Sequence, residues 1–267
     1  MSHTFPLITL GAALLSTTMF ATPAAAEDWQ FRASLYGYFP DISSNVAFQG
    51  ADEINVSAQD LIDHTDNIFM GSFEAQRGRF GVFADVIYIN LGNSITDSTS
   101  IAVGGGTPLP PGITADASLN VDAWVWTLAG TYRIYEGANA TIDLFGGARL
   151  LNVDADLAYE FSSDFGPFSG PARAGATSTE LENWDAVVGV KGRNTFGANQ
   201  RWFVTYYADV GAGDSDLTWQ AFVGGGRSIG RFDIVAGWRH LEYEFPSSSR
   251  IEDLTFDGPL VGASFNF

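Results

Sequence analysis

Residues 202–211 read WFVTYYADVG. In an extended chain successive side chains point to opposite sides. Trp202, Val204, Tyr206, Ala208 and Val210 then share one face, and Thr205, Tyr207, Asp209 and Gly211 share the other. The first face is apolar and aromatic; the second is small, polar or charged. A stretch of about ten residues with this alternation is what a tilted strand needs to cross a bilayer.

The same pattern recurs along the chain. Ile142, Leu144, Gly146, Ala148 and Leu150 oppose Asp143, Gly147 and Arg149. Trp184, Ala186, Val188 and Val190 oppose Asn183, Asp185, Gly189 and Lys191. Val261, Ala263, Phe265 and Phe267 oppose Gly262, Ser264 and Asn266. A soluble sandwich also alternates, so the lengths of strands and connections must decide. About ten strands are predicted, at 29–39, 66–77, 79–91, 118–134, 140–155, 180–193, 201–212, 216–228, 231–245 and 253–267. Eight is the alternative, reached if the two strands beside Gly213–Ser215 do not both span.

Connections alternate between short and long. Gly78, Glu136–Asn139, Asn194–Gln200 and Ile229-Gly230 are short, whereas 40–65, 92–117 and 156–179 are long. Membrane barrels are built this way, with the short turns facing the periplasm. Charge follows the same division. Arg77, Arg79, Arg133, Arg193, Arg201, Arg227 and Arg231 lie at the short-turn end, and acidic residues such as Asp41, Asp60, Asp156, Asp214, Asp216 and Asp253 lie at the other. Trp29 and Trp202 sit near the first end and Trp124, Trp184 and Trp219 near the second, as interfacial aromatic girdles do. On strands three and four Phe83, Ile87 and Ile89 share a face with Asp85, so part of the interior is expected to be apolar.

The N-terminus reads as an export signal. Leu7–Leu15 is apolar and Ala24-Ala25-Ala26 is an Ala-x-Ala processing site, which predicts a signal peptide over 1–26, cleavage after Ala26 and one barrel domain over 27–267. No later segment holds eighteen consecutive apolar residues, so membrane crossing by helices is not expected. The formal net charge of −18 removes nucleic acid from the expected partners, since phosphate binding needs a basic footprint. Cysteine is absent, which excludes a disulfide framework, a thiolate metal site and a catalytic thiol.

The terminal strand Leu260–Phe267, with Phe265 and a final Phe267, resembles the sorting signal of bacterial outer-membrane barrels. The blocks MGSFEAQRGRFGVFAD (70–85) and GWRHLEY (237–243) resemble the strand-turn-strand units of small proteobacterial barrels, in the broad OmpA-like transmembrane-barrel grouping. The resemblance is architectural and covers the mature chain. It implies an all-β antiparallel transmembrane barrel in the outer membrane, with lipid and lipopolysaccharide as surroundings and the barrel-assembly machinery reading Phe265 and Phe267. It carries no shared catalytic motif.

Four regions bear on chemistry. His240, with Glu242 and Glu244 nearby, is the one candidate for a rim hydrolase, because a histidine among carboxylates can activate water. Ser57–His64 suits a short helix with Ser57 as N-cap, and Asp60, Asp63, His64 and Asp66 could meet a cation, although their spacing is not that of an EF-hand. Gly104-Gly-Gly106 and the following prolines lack the lysine of a phosphate loop, and Gly224-Gly-Gly226 within a strand signals close backbone approach. No cofactor, metal ligand or catalytic residue is assigned. Divalent cations at the acidic loops are a further expected partner.

The inward-facing charges carry the functional question. By parity they are Arg32, Glu74, Asp85, Asp143, Arg149, Asp185, Lys191, Asp209 and Arg239. Buried charges must be paired or hydrated. A ten-stranded interior is narrow. The leading expectation is a barrel with a charge-bridged lumen and a structural or surface-interaction role. The alternative is a narrow cation-preferring small-solute pore.

Overall fold

The computed structural model describes residues 28–45, 54–59, 65–95, 113–165, 168–169, 173–247, 249 and 251–267. The signal segment, with Asp60, Asp63 and His64, lies outside them. The strands are β1 (Gln30–Tyr38), β2 (Asp41–Ser44), β3 (Ile54–Val56), β4 (Thr65–Arg77), β5 (Phe80–Ile95), β6 (Ile113–Glu136), β7 (Ala140–Phe165), β8 (Phe168–Ser169), β9 (Arg173–Phe196), β10 (Trp202–Gly213), β11 (Leu217–Ile229), β12 (Phe232–Glu244) and β13 (Asp253–Asn266).

Ten of these make the wall, in the order β1-β4-β5-β6-β7-β9-β10-β11-β12-β13, and β13 pairs back onto β1. Every neighbouring pair is antiparallel, from Gln30↔Gln76 between β1 and β4 to Asn266↔Arg32 at the closing seam. Phe31 and Phe267 exchange both backbone hydrogen bonds at that seam, at 2.9 and 3.0 Å. The chain is therefore a closed antiparallel ten-stranded barrel. The eight-strand alternative fails because β10 pairs with β9 from Trp202 to Gly213 and with β11 from Trp202 to Gly211. Above β1 the wall continues as β2, which pairs with β13 and carries β3 on its other side.

The short turns follow local chemistry. Gly78 and Gly230 open two-residue hairpins with φ of 57° and 66°, a conformation that a residue with a Cβ resists. The strand ends differ from expectation at the opposite side. β6, β7 and β9 run for 24, 26 and 24 residues, so most of the expected 156–179 loop is strand. Asp156↔Ser178 and Phe161↔Arg173 pair across β7 and β9, and Ile113↔Ser163 pairs across β6 and β7. Each of these strands adds ladder bonds to one already formed. At about 3.4 Å per residue β7 is roughly 85 Å long, well beyond the apolar band of about 25 Å that a membrane barrel carries. The upper part of β9, from Arg173 to Trp184, pairs only with β7. A three-stranded extension thus stands above one side of the barrel.

Apolar side chains cover the outside of the wall. Leu35, Phe73, Val82, Leu128, Leu144, Val188, Val223, Ile234 and Val261 are all exposed and lie on nine different strands. A belt of that kind on a closed sheet, whose backbone groups are all paired within the wall, is a lipid-facing surface. No helix among the described residues is long and apolar enough to cross a membrane.

Candidate functional site

The interior is layered. At the short-turn end lies an open vestibule of about 540 Å³, lined in part by Arg32, Glu74, Arg133, Asp143, Lys191 and Arg193. Strand alternation sends these residues inward, and their charges pair there. Arg133 Nε donates to Asp143 at 2.8 Å. Lys191 reaches Glu74 at 2.5 Å. Arg193 and Arg32 share Asp233, at 2.8 and 3.7 Å, and Arg32 Nε also donates to Asn266.

Next comes an aromatic layer. Phe145 stacks on Tyr207 with centroids 4.8 Å apart, and Phe83 packs against both. Two buried guanidiniums follow. Arg239 on β12 pairs with Asp85 on β5 at 2.9 Å, while its other nitrogens donate to Gln220 and to the Tyr36 hydroxyl. Tyr36 in turn donates to Asp85 at 2.7 Å. Arg149 on β7 pairs with Asp209 on β10 at 2.5 Å and also donates to Thr127, Thr218 and Tyr207. Arg149 and Asp209 are 0% exposed. Above them the lumen is packed with apolar side chains, among them Met70, Ile87, Leu151, Leu241 and Phe256, with Tyr38 and Tyr243. Phe83, Asp85, Ile87 and Ile89 all point inward, so one strand supplies a charge and its apolar neighbours.

The nine charges named from parity all face the interior, but the structure sorts them into separate pairs. Asp143 and Lys191 stand opposite each other in register, yet each takes a partner elsewhere. Asp185 does not cross the lumen. Its carboxylate accepts from Asn183 and from the backbone and hydroxyl of Ser215, which anchors the 214–216 turn. Parity reading missed Arg193, Asp233 and Arg133 as lumenal groups, and Tyr36 and Gln220 as the polar partners of Arg239. Arg193 was legible as the inward continuation of Lys191, two residues on. The tyrosines gave no signal, because tyrosine suits a lipid face as well as a lumenal one.

His240 faces outward on β12. Its Nδ1 lies 2.8 Å from Asp257 and its Nε2 3.2 Å from Glu242, and its ring lies 4.4 Å from that of Trp219. Trp219 and Trp238 donate their indole N–H groups to the same Glu242 and Asp257. Trp29, Trp124, Trp184 and Trp202 are exposed on the outer wall, and Trp126 packs edge-on to Trp184 at 5.2 Å. Phe267 is exposed and stacks on Phe31 and Phe265. Among the described residues no three His, Asp or Glu side chains converge as a metal site.

No family model and no curated protein matches the chain. Solved structures align along most of its length. The outer membrane protease OmpT from Escherichia coli is 11% identical, with 92% of this chain and 99% of that one aligned at a TM-score of 0.40. The attachment invasion locus protein Ail of Yersinia pestis is 11% identical over 90% and 99%, at 0.33. The outer membrane protein OprG from Pseudomonas aeruginosa is 12% identical over 91% and 96%, at 0.33. At this distance no residue role passes from any of them to this chain.

Proposed function

We propose that the chain is an integral barrel of the bacterial outer membrane, exported by a signal peptide cleaved after Ala26, with a lumen closed to solutes. Its role is then structural or surface-interacting: the barrel anchors the extension of β6, β7 and β9 at the outer face. The observation that carries this reading is the Arg239–Asp85 pair, which crosses the lumen beside the fully buried Arg149–Asp209 pair and beneath a packed apolar layer. A pore needs a continuous wet path, and fully buried Leu151, Leu241 and Tyr243 interrupt it. Lipopolysaccharide and divalent cations meet the acidic upper rim in this reading, and the assembly machinery reads Phe265 and Phe267.

Planar-bilayer recording of the refolded protein tests the closed lumen. Silence is expected. Reproducible conductance steps with cation selectivity would overturn the sealed reading in favour of a narrow pore.

A further inference from the structure

Below the crossing ion pairs the lumen is not filled. A cavity of about 160 Å³ lies there, walled by Phe83, Phe203, Tyr207 and Phe222 together with polar side chains such as Ser72 and Gln220, and bounded above by Arg239. Lys191 lies over one face of the Phe83 ring at 4.8 Å and Arg193 over one face of the Phe203 ring at 3.5 Å. It shares Arg32, Glu74, Lys191, Arg193 and Thr205 with the vestibule, so the two compartments meet at that level. An apolar cavity of about 150 Å³ is enough to admit one benzene ring.

The charges at the junction do not balance. Lys191 is matched by Glu74. Arg32 and Arg193 both form ion pairs with Asp233, Arg32 at only 3.7 Å with its side chain 31% exposed, and Arg32 also stands opposite Glu74 in register. Three cations therefore face two carboxylates, in a chain whose net charge is −18. Guanidinium offers a planar fork of donors that matches a carboxylate. An aromatic cavity with a guanidinium at its mouth has the two halves of a recognition site for one kind of molecule.

We propose that the short-turn end of the barrel is a binding site for a small aromatic carboxylate, its ring among Phe83, Phe203 and Phe222 and its carboxylate on Arg32. The Arg239–Asp85 pair forms the ceiling, so the site is a blind pocket entered from the side of the chain termini.

Fluorine NMR of 4-fluorobenzoate with the refolded protein in micelles tests this, with 4-fluorobenzyl alcohol as the neutral counterpart and empty micelles as the blank. Saturable broadening is expected for the carboxylate, with affinity about tenfold or more above that of the alcohol, the size of one hydrogen-bonded charge. Arg32→Gln should bring the carboxylate down to the level of the alcohol. Val235→Phe, which fills the cavity wall, should abolish binding of both. A carboxylate signal no different from empty micelles, or equal affinity for the alcohol, would overturn the proposal without any variant having to fold. Undiminished binding in Val235→Phe that retains heat-modifiable gel mobility would also overturn it.

Discussion

Arg149 on β7 and Asp209 on β10 meet inside the lumen at 2.5 Å, and neither has any contact with solvent. Each has exchanged its hydration for the other, and Asp209 Oδ1, unlike the Oδ2 that accepts from Arg149, has no hydrogen-bond partner among the described residues. Removing one member strands the other charge. Asp209→Leu is expected to cost about 3–5 kcal/mol, whereas Arg149→Met with Asp209→Leu should recover most of that loss. Urea unfolding in micelles, followed by tryptophan fluorescence, reads both. Equal instability of the single and double variants would show that the charge pair is not the source.

The seal has two parts, and they should fail in order. Replacing all four charges by serine (Arg149, Asp209, Arg239, Asp85) makes the middle layer hydratable but leaves the apolar layer above it. That variant is expected to remain silent in bilayers. Adding Leu151→Gly and Leu241→Gly removes two fully buried side chains from the layer above, and conductance steps should then appear. Steps from the four-serine variant alone would place the barrier in the ion pairs.

The lipid-facing reading of the belt predicts a depth profile. Val223 is exposed near the middle of β11 and Ile229 at its short-turn end. Arginine at position 223 should cost about 2–4 kcal/mol and at position 229 at most about 1 kcal/mol, because charge is costly only in the hydrocarbon region. Equal small costs, measured by unfolding from bilayers, would mean that the belt does not face lipid.

Two adjacent glycines should respond oppositely to the same methyl group. A Cβ on Gly226 would meet the Phe203 ring and the Ile234 carbonyl, whereas one on Gly225 points out of the wall, 3.9 Å from its nearest neighbour. Gly226→Ala is expected to destabilise by about 1–3 kcal/mol and Gly225→Ala by less than about 0.5 kcal/mol. Unfolding midpoints of the two variants check this.

The wall was legible because its rule is local. Period-two alternation fixes which way Asp209 or Val210 points from its immediate neighbours alone. The upper halves of β7 and β9 were not legible, since Ala155–Phe161 and Arg173–Thr179 hold their extended form through each other. In the lumen the signs of the charges could be read but not their partners. Arg239 and Asp85 are 154 positions apart. Which carboxylate an inward arginine reaches depends on barrel diameter and strand stagger, which no single strand encodes. That is why Asp185 looked equivalent to Asp209, although it serves a turn and not the lumen.

The seam between β1 and β13 also has a consequence in time. Every other wall pairing joins strands that follow one another along the chain, whereas Arg32 and Asn266 are 234 positions apart. Chain-entropy costs rise with that separation, and contacts between distant segments form late. Until Phe31 and Phe267 meet, the hairpins make an open sheet whose two free edges can pair with any passing strand. The interval before closure is therefore when the newly made wall is open to aggregation.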